Sequence, residues 1–292
     1  MSGVRWATSA IVCAVALAAC AGQPSLPSPS PSAGVSPPPV AAVGGTAFPR
    51  TLQADRMVEV QIETPGDERG IVVSVALDSP YFGPSGTVPT NVLLEPGWLA
   101  RLRVPLGPAL CPAGSGSSIA TVEVRAYEGA DVAEREVTLE EGALRDINAT
   151  ECRQRIATDA AAPSFATEPV VSGDAVQTSV VLQRGASAAA ATLTALSGNV
   201  IFTLEPAAGS LPVTLESREE RTAVPVTIRA SRCDAHAMAE SKKTFVFTAS
   251  YDVDGEAITV EYRAEGATQE ALQALVDQCA AESESDGIGG QR

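Results

Sequence analysis

Apolar and polar residues alternate in short runs along most of this chain, and Gly, Pro and Asp separate the runs. Met57-Val58-Glu59-Val60-Gln61-Ile62-Glu63 and Thr121-Val122-Glu123-Val124 alternate with period two, which puts one face of each segment in a core and the other in water. Ile71-Val72-Val73-Ser74-Val75-Ala76-Leu77 is almost continuously apolar and reads as a central strand. In the second half, residues 178–182 and 200–204 take these parts. Residues 186–195 are rich enough in alanine to suggest a helix, but their place in the pattern predicts a strand and hairpin. Short strands at regular spacing with turn residues between them predict an all-β protein made of immunoglobulin-like β-sandwich domains.

The two halves share an order of landmarks. The first half has Val104-Pro105-Leu106, then Cys111, a strand at 121–124, a turn at Gly129-Ala130-Asp131, a strand Val137-Thr138-Leu139 and a helix-like stretch at 144–152 ending in Cys152. The second has Val224-Pro225-Val226, Cys233, the strand Thr244-Phe245-Val246-Phe247, the turn Asp254-Gly255, the strand Ile258-Thr259-Val260 and a stretch at 272–279 ending in Cys279. Six landmarks in one order indicate an internal duplication. In the last stretch Leu272, Leu275, Val276 and Cys279 fall on one helical face, so Cys279 should turn towards the sheet. Each sandwich is therefore expected to end in a short helix.

The beginning of the chain has another character. Arg5 precedes an uncharged apolar stretch from Ala7 to Ala19, too short to span a bilayer as a helix, which takes about 20 apolar residues. It reads as a removable export signal. Leu17-Ala18-Ala19-Cys20 resembles the lipobox of bacterial lipoproteins. The resemblance implies cleavage before Cys20, a diacylglyceryl group on its thiol, and residence on the outer, extracytoplasmic face of the cell membrane. Two acyl chains, at about 0.8 kcal/mol per buried methylene, hold such a protein durably. Apart from Gln23 and Leu26, residues 23–43 are Pro, Ser, Ala, Gly and Val, the composition of a semi-rigid stalk. The expected organisation is a signal peptide at 1–19, a lipid-anchored linker at 20–43, a sandwich at 44–156, a linker at 157–168, a second sandwich at 169–282 and a disordered tail at 283–292.

An exported protein meets an oxidising compartment. With Cys20 carrying lipid and Cys13 lost with the leader, four cysteines remain and three pairings are possible. The duplication singles out Cys111–Cys152 and Cys233–Cys279. Thiolate metal binding does not fit, because no Cys-x-x-Cys spacing occurs. The net charge is −15, and a surface of that sign repels nucleic acid.

The sole histidine lies in Cys233-Asp234-Ala235-His236-Ala237-Met238-Ala239-Glu240. A helix there would align His236 and Glu240 with Asp234 nearby, a candidate ligand or metal site. The plainer reading has Asp234 cap a turn, His236 pack beside the bridge, and Glu240 pair with Lys242 or Lys243. The first half has no such groups after Cys111. This segment and the strand after it resemble envelope lipoproteins of actinobacteria; the resemblance covers 224–279 most clearly and brings no activity with it. A nucleophile elbow, phosphate loop and dinucleotide fingerprint are all missing from the sequence, so neither catalysis nor a cofactor is expected. The leading expectation is a non-catalytic envelope module that engages another protein or a wall component. A solute- or metal-binding protein using His236 is one alternative, and an envelope enzyme is a third reading.

Overall fold

The computed structural model describes residues 36–288, apart from positions 54, 235, 236, 238–240 and 242, and the side chains of 282–288. The expected leader, the expected lipidation site Cys20 and the expected stalk up to residue 35 lie outside the described residues. The fold is all-β: two immunoglobulin-like sandwiches, each followed by a helix tied by a disulfide.

The first sandwich contains β1 (Val43–Ala47), a one-turn helix α1 (Arg50–Gln53), β2 (Met57–Glu63), β3 (Gly70–Asp78), β4 (Thr87–Leu94), β5 (Leu99–Pro105), β6 (Ile119–Arg125) and β7 (Val132–Leu139). The strands run in the order β4-β3-β6-β7-β1-β2-β5. The edge strands β4 and β5 are joined by a turn at 95–98, so the sheet must fold back on itself. β1 makes the corner, antiparallel to β2 and parallel to β7. Gly44 allows this crossing, since a Cβ there would lie 2.6 Å from the Gln61 carbonyl and 2.9 Å from Val137. The period-two residues Val58, Val60, Ile62, Val122 and Val124 line the core with Val72, Leu102 and Val104. As expected, β3 is central, paired with β4 and β6.

The helix α2 (Gly142–Ala160) follows. Its first half belongs to the first core through Leu144 and Ile147, and its last turn belongs to the second core through Ala157 and Ala160. The second sandwich contains β8 (Ala162–Phe165), β9 (Val170–Ser172), β10 (Ala175–Gln183), β11 (Ala191–Ser197), β12 (Phe202–Pro206), β13 (Val213–Leu215), β14 (Arg221–Ala230), β15 (Val246–Val253) and β16 (Glu256–Arg263). One sheet has the order β12-β14-β10-β8, with β9 also on β10, and the other β13-β11-β15-β16. Phe165 packs edge-on to Phe247 at 5.0 Å. The hydroxyls of Tyr251 and Tyr262 are buried without a hydrogen-bond partner, and burial pushes both phenols well above their usual range. The closing helix α3 (Gly266–Ile288) buries Leu272, Leu275 and Val276, the face its spacing indicates.

Three boundaries differ from expectation. The linker at 157–168 is instead the last turn of α2 and strand β8. Ala157, Ala160 and Ala161 are fully buried, and their small size lets the helix end sit close to the second sandwich. Arg184 fixes that end by donating to the carbonyls of Ala160, Ser187, Ala189, Leu215, Glu216 and Glu219. Gly185 lies so near that a Cβ would come within 2.6 Å of the Thr158 carbonyl. The linker at 20–43 ends earlier than expected: Pro38 is buried, Val40 packs on the core, and Ala41 N–H donates to Glu63 O at 2.8 Å. The tail expected from 283 continues α3 to Ile288. Within 186–195, only the strand from Ala191 forms.

Candidate functional site

The two cysteine pairings that the duplication singles out are both present, with Cα atoms 5.6 Å apart for Cys111–Cys152 and 5.9 Å for Cys233–Cys279. At the first bridge, Asn148 donates to the carbonyls of Tyr81 at 2.7 Å and Leu110 at 3.0 Å. Glu141 accepts from the Tyr81 hydroxyl at 2.9 Å and from Ser118 N–H at 3.0 Å. These two donors, Tyr81 first, hold its carboxyl below the usual range, and Arg145 assists. At the second bridge, Asp234 accepts from Ala237 N–H at 2.9 Å and pairs with Arg232 at 3.3 Å. The Ala237 hydrogen bond is the main reason its carboxyl lies below the usual range. Asp234 thus caps a turn. His236 and Glu240, its expected companions, lie outside the described residues, as does Lys242. Lys243 pairs with Glu261 at 2.7 Å. Among the described residues, no three His, Cys, Asp or Glu side chains gather in a metal-binding group.

A different place concentrates chemistry from both sandwiches. Strand β16 is the edge of its sheet, and α2 lies alongside it. Between them runs a cleft of about 390 Å³, lined by Thr150, Arg153 and Gln154 of α2 and by Thr248, Ile258, Thr259 and Glu261 of the facing sheet. A second cleft of about 390 Å³ shares Thr150, Gln154 and Glu261 and continues to Phe48, Arg56 and Lys243. Together they make one groove along the exposed face of α2.

Arg56 is the best-held cation of the groove. Its guanidinium grips Glu151 with two bonds, at 2.7 and 3.1 Å, and donates to the carbonyls of Gly107 at 3.0 Å and Leu106 at 3.4 Å. Its backbone has φ of 51°, a left-handed conformation uncommon for a side chain of this size. These contacts hold it there. The groove therefore offers fixed charges of both signs, hydroxyls and an amide, which suits a polar or mixed-charge chain laid along α2. Sequence reasoning missed it, because Thr150, Arg153 and Gln154 read as an ordinary solvated helix face. The nearest signal was Arg56 beside Asp55, a turn dipeptide before a strand.

No family model matches this chain, and no curated protein does. Among solved structures it is similar to part of a Salmonella α2-macroglobulin mutant, with 12% identity, a TM-score of 0.29, and coverage of 72% of this chain and 15% of the other. It is also similar to the exo-chitosanase of Amycolatopsis orientalis, with 15% identity, a TM-score of 0.19, and coverage of 72% and 25%. A third is the CsuC–CsuE chaperone–tip adhesion subunit complex of Acinetobacter baumannii, with 9% identity, a TM-score of 0.20, and coverage of 72% and 93%. The chain spans a quarter or less of the first two proteins. Likeness at this level says nothing of activity. Among the described residues no helix is long and apolar enough to cross a membrane.

Proposed function

We propose that the protein is a lipoprotein held through Cys20 on the outer face of the cell membrane, where it acts as a non-catalytic binding module of the envelope. The groove along α2 is its binding surface. One observation carries this reading: Arg56, Glu151, Arg153, Gln154, Lys243 and Glu261, drawn from both sandwiches, converge on one exposed helix face. Because α2 is built into both cores, the groove is preformed, and a partner meets little ordering cost there. An envelope protein or a polar wall component fits its mixed charge.

The test places a photo-crosslinker at Arg153, with exposed Glu205 on β12, an edge of the sheet that does not contain β16, as the control. Intact envelopes are then probed with the lipidated protein and with a soluble form lacking residues 1–35. Capture of one protein or wall fragment from position 153 by both forms, and not from position 205, is the expected result. Equal capture from both positions, or none from either, rules the groove out. Anchoring is tested separately: a mature N-terminal peptide without lipid mass on Cys20 contradicts it.

A further inference from the structure

One end of the first sandwich carries an apolar surface that its core does not use. The turn at 95–98, the connection at 126–131 and the loop at 64–69 all lie at this end. The ladders bring it together, because Leu93 is opposite Ile71, Ile71 opposite Arg125 and Arg125 opposite Val132. Five large apolar side chains are exposed here: Trp98 at 70%, Tyr127 at 55%, Leu93 at 54%, Val132 at 51% and Leu99 at 39%. A lone exposed apolar side chain is ordinary, but a cluster with two aromatics at one end marks an interaction surface.

The chain enters the domain at this same end. The ring of Pro38 lies against Gly70, beside the Arg125 carbonyl, and the chain then runs past Glu63 to Thr138. The helix α2 leaves from the opposite end, after Leu139. Pro38 lies eighteen positions after Cys20, a reach of at most about 65 Å when fully extended.

We propose that this end of the first sandwich sits on the membrane, with Trp98 and Tyr127 in the headgroup region of zwitterionic phospholipid. The inference rests on the anchoring through Cys20 proposed above. Trp and Tyr favour the membrane–water interface because their rings are apolar and their polar atoms stay wet. Asp67, Glu68, Glu95, Glu128 and Asp131 stand at the same end, against Arg69 and Arg125, so the contact is shallow and disfavours anionic lipid. In this arrangement the second sandwich and the groove face away from the bilayer.

The leader takes Trp6 with it, which leaves Trp98 as the single tryptophan of the mature chain and a built-in probe. The lipidated protein is reconstituted into phosphatidylcholine vesicles brominated near the glycerol or near the methyl ends of the acyl chains, and emission is compared with that of the form lacking residues 1–35. Co-flotation, a blue shift, and stronger quenching by the shallow bromines are expected. Leu99→Asp and Tyr127→Asp, at exposed positions, should lose the shift and the quenching and still float. Replacing part of the lipid with phosphatidylglycerol should reduce quenching, and a rise would overturn the proposal. Flotation with unshifted, unquenched emission overturns it and leaves the anchoring intact. Failure to float removes both. A shift that needs added envelope protein and occurs without bromine quenching assigns this end to a protein partner, and overturns the proposal as well.

Discussion

The corners around the two disulfides use different polar contacts for the same task. At Cys111–Cys152 the key asparagine, Asn148, is on the helix and reaches out to the carbonyls of two loops. At Cys233–Cys279 the key asparagine is Asn199, in the connection between β11 and β12. Its amide donates to the carbonyls of Thr244 at 2.8 Å and Val246 at 2.9 Å, and its oxygen accepts from Ile201 and Phe202 N–H at 2.8 and 2.9 Å. Asn148 binds loops to helix, and Asn199 binds loops to each other. The contacts of α3 include its apolar face, the bridge and the bond from Thr268 to Ala166 O at 3.0 Å. A duplication can keep the order of its strands and cysteines while its polar contacts settle at unrelated positions.

The largest effect on this comparison should come from the bridges. Replacing either cysteine pair with serine opens a loop of 41 or 46 residues and should cost about 3–4 kcal/mol in denaturant unfolding. Hydrogen exchange then separates the corners: amides of α3 should lose protection in the Cys233→Ser/Cys279→Ser variant. Those of α2 should keep theirs in Cys111→Ser/Cys152→Ser, because Asn148 and the two cores still hold that helix. Equal loss in both would collapse the distinction.

Next come the asparagines. Asn199→Ala leaves four backbone groups without this partner and should cost about 3 kcal/mol, against about 1–2 kcal/mol for Asn148→Ala, which orphans the Leu110 carbonyl alone because Tyr81 O still accepts from Leu110 N–H at 2.9 Å. A larger cost at Asn148, measured by the same unfolding, would reverse the ranking. Acid should bring out a smaller effect. Glu141 and Asp234 both lie below the usual carboxylate range when folded. The stability each contributes is therefore present above its unfolded pKa of about 4 and is lost as pH falls through the lower folded value. Glu141→Gln should flatten the acid-side decline of stability, because its two donors lose a charged acceptor. Asp234→Asn should change stability little at neutral pH, since asparagine caps a turn as well as aspartate does. Acid titrations of the two variants that superimpose on the parent would show that neither carboxylate matters. The smallest effect is expected at Tyr251→Phe and Tyr262→Phe, which remove hydroxyls that have no partner. Thermal unfolding should find each within about 0.5 kcal/mol of the parent or more stable, and a clear loss would reveal an interaction at that hydroxyl.

The strands were legible wherever one face is buried, because period-two alternation is what a half-buried strand requires. The bridges were legible because the duplication ranks three possible pairings. What escaped was written in small or flexible-looking residues. β1, Val43-Gly44-Gly45-Thr46-Ala47, follows a proline-rich run and has glycine where the backbones approach most closely, so it carries no hydrophobic pattern. The end of α2 makes its contact through Ala157 and Ala160, which show no stripe of large side chains and resemble a linker. The groove depends on two distant segments meeting, and no local pattern in Arg153 or Gln154 encodes that. Asp234 was legible as a cap because its carboxylate precedes the turn it closes.

The corner strand β1 has a mechanical consequence. It is the first strand after the proposed tether, and its ladder bonds to β2 and β7 lie across its axis. Tension arriving from the N-terminal side runs along β1 and loads those bonds together in shear, where a terminal hairpin would peel open one pair at a time. A constant-force pull on residue 36 should show one abrupt rupture in place of stepwise unzipping. A protein moored at that end would keep its outer sandwich in place when its partner drags on it.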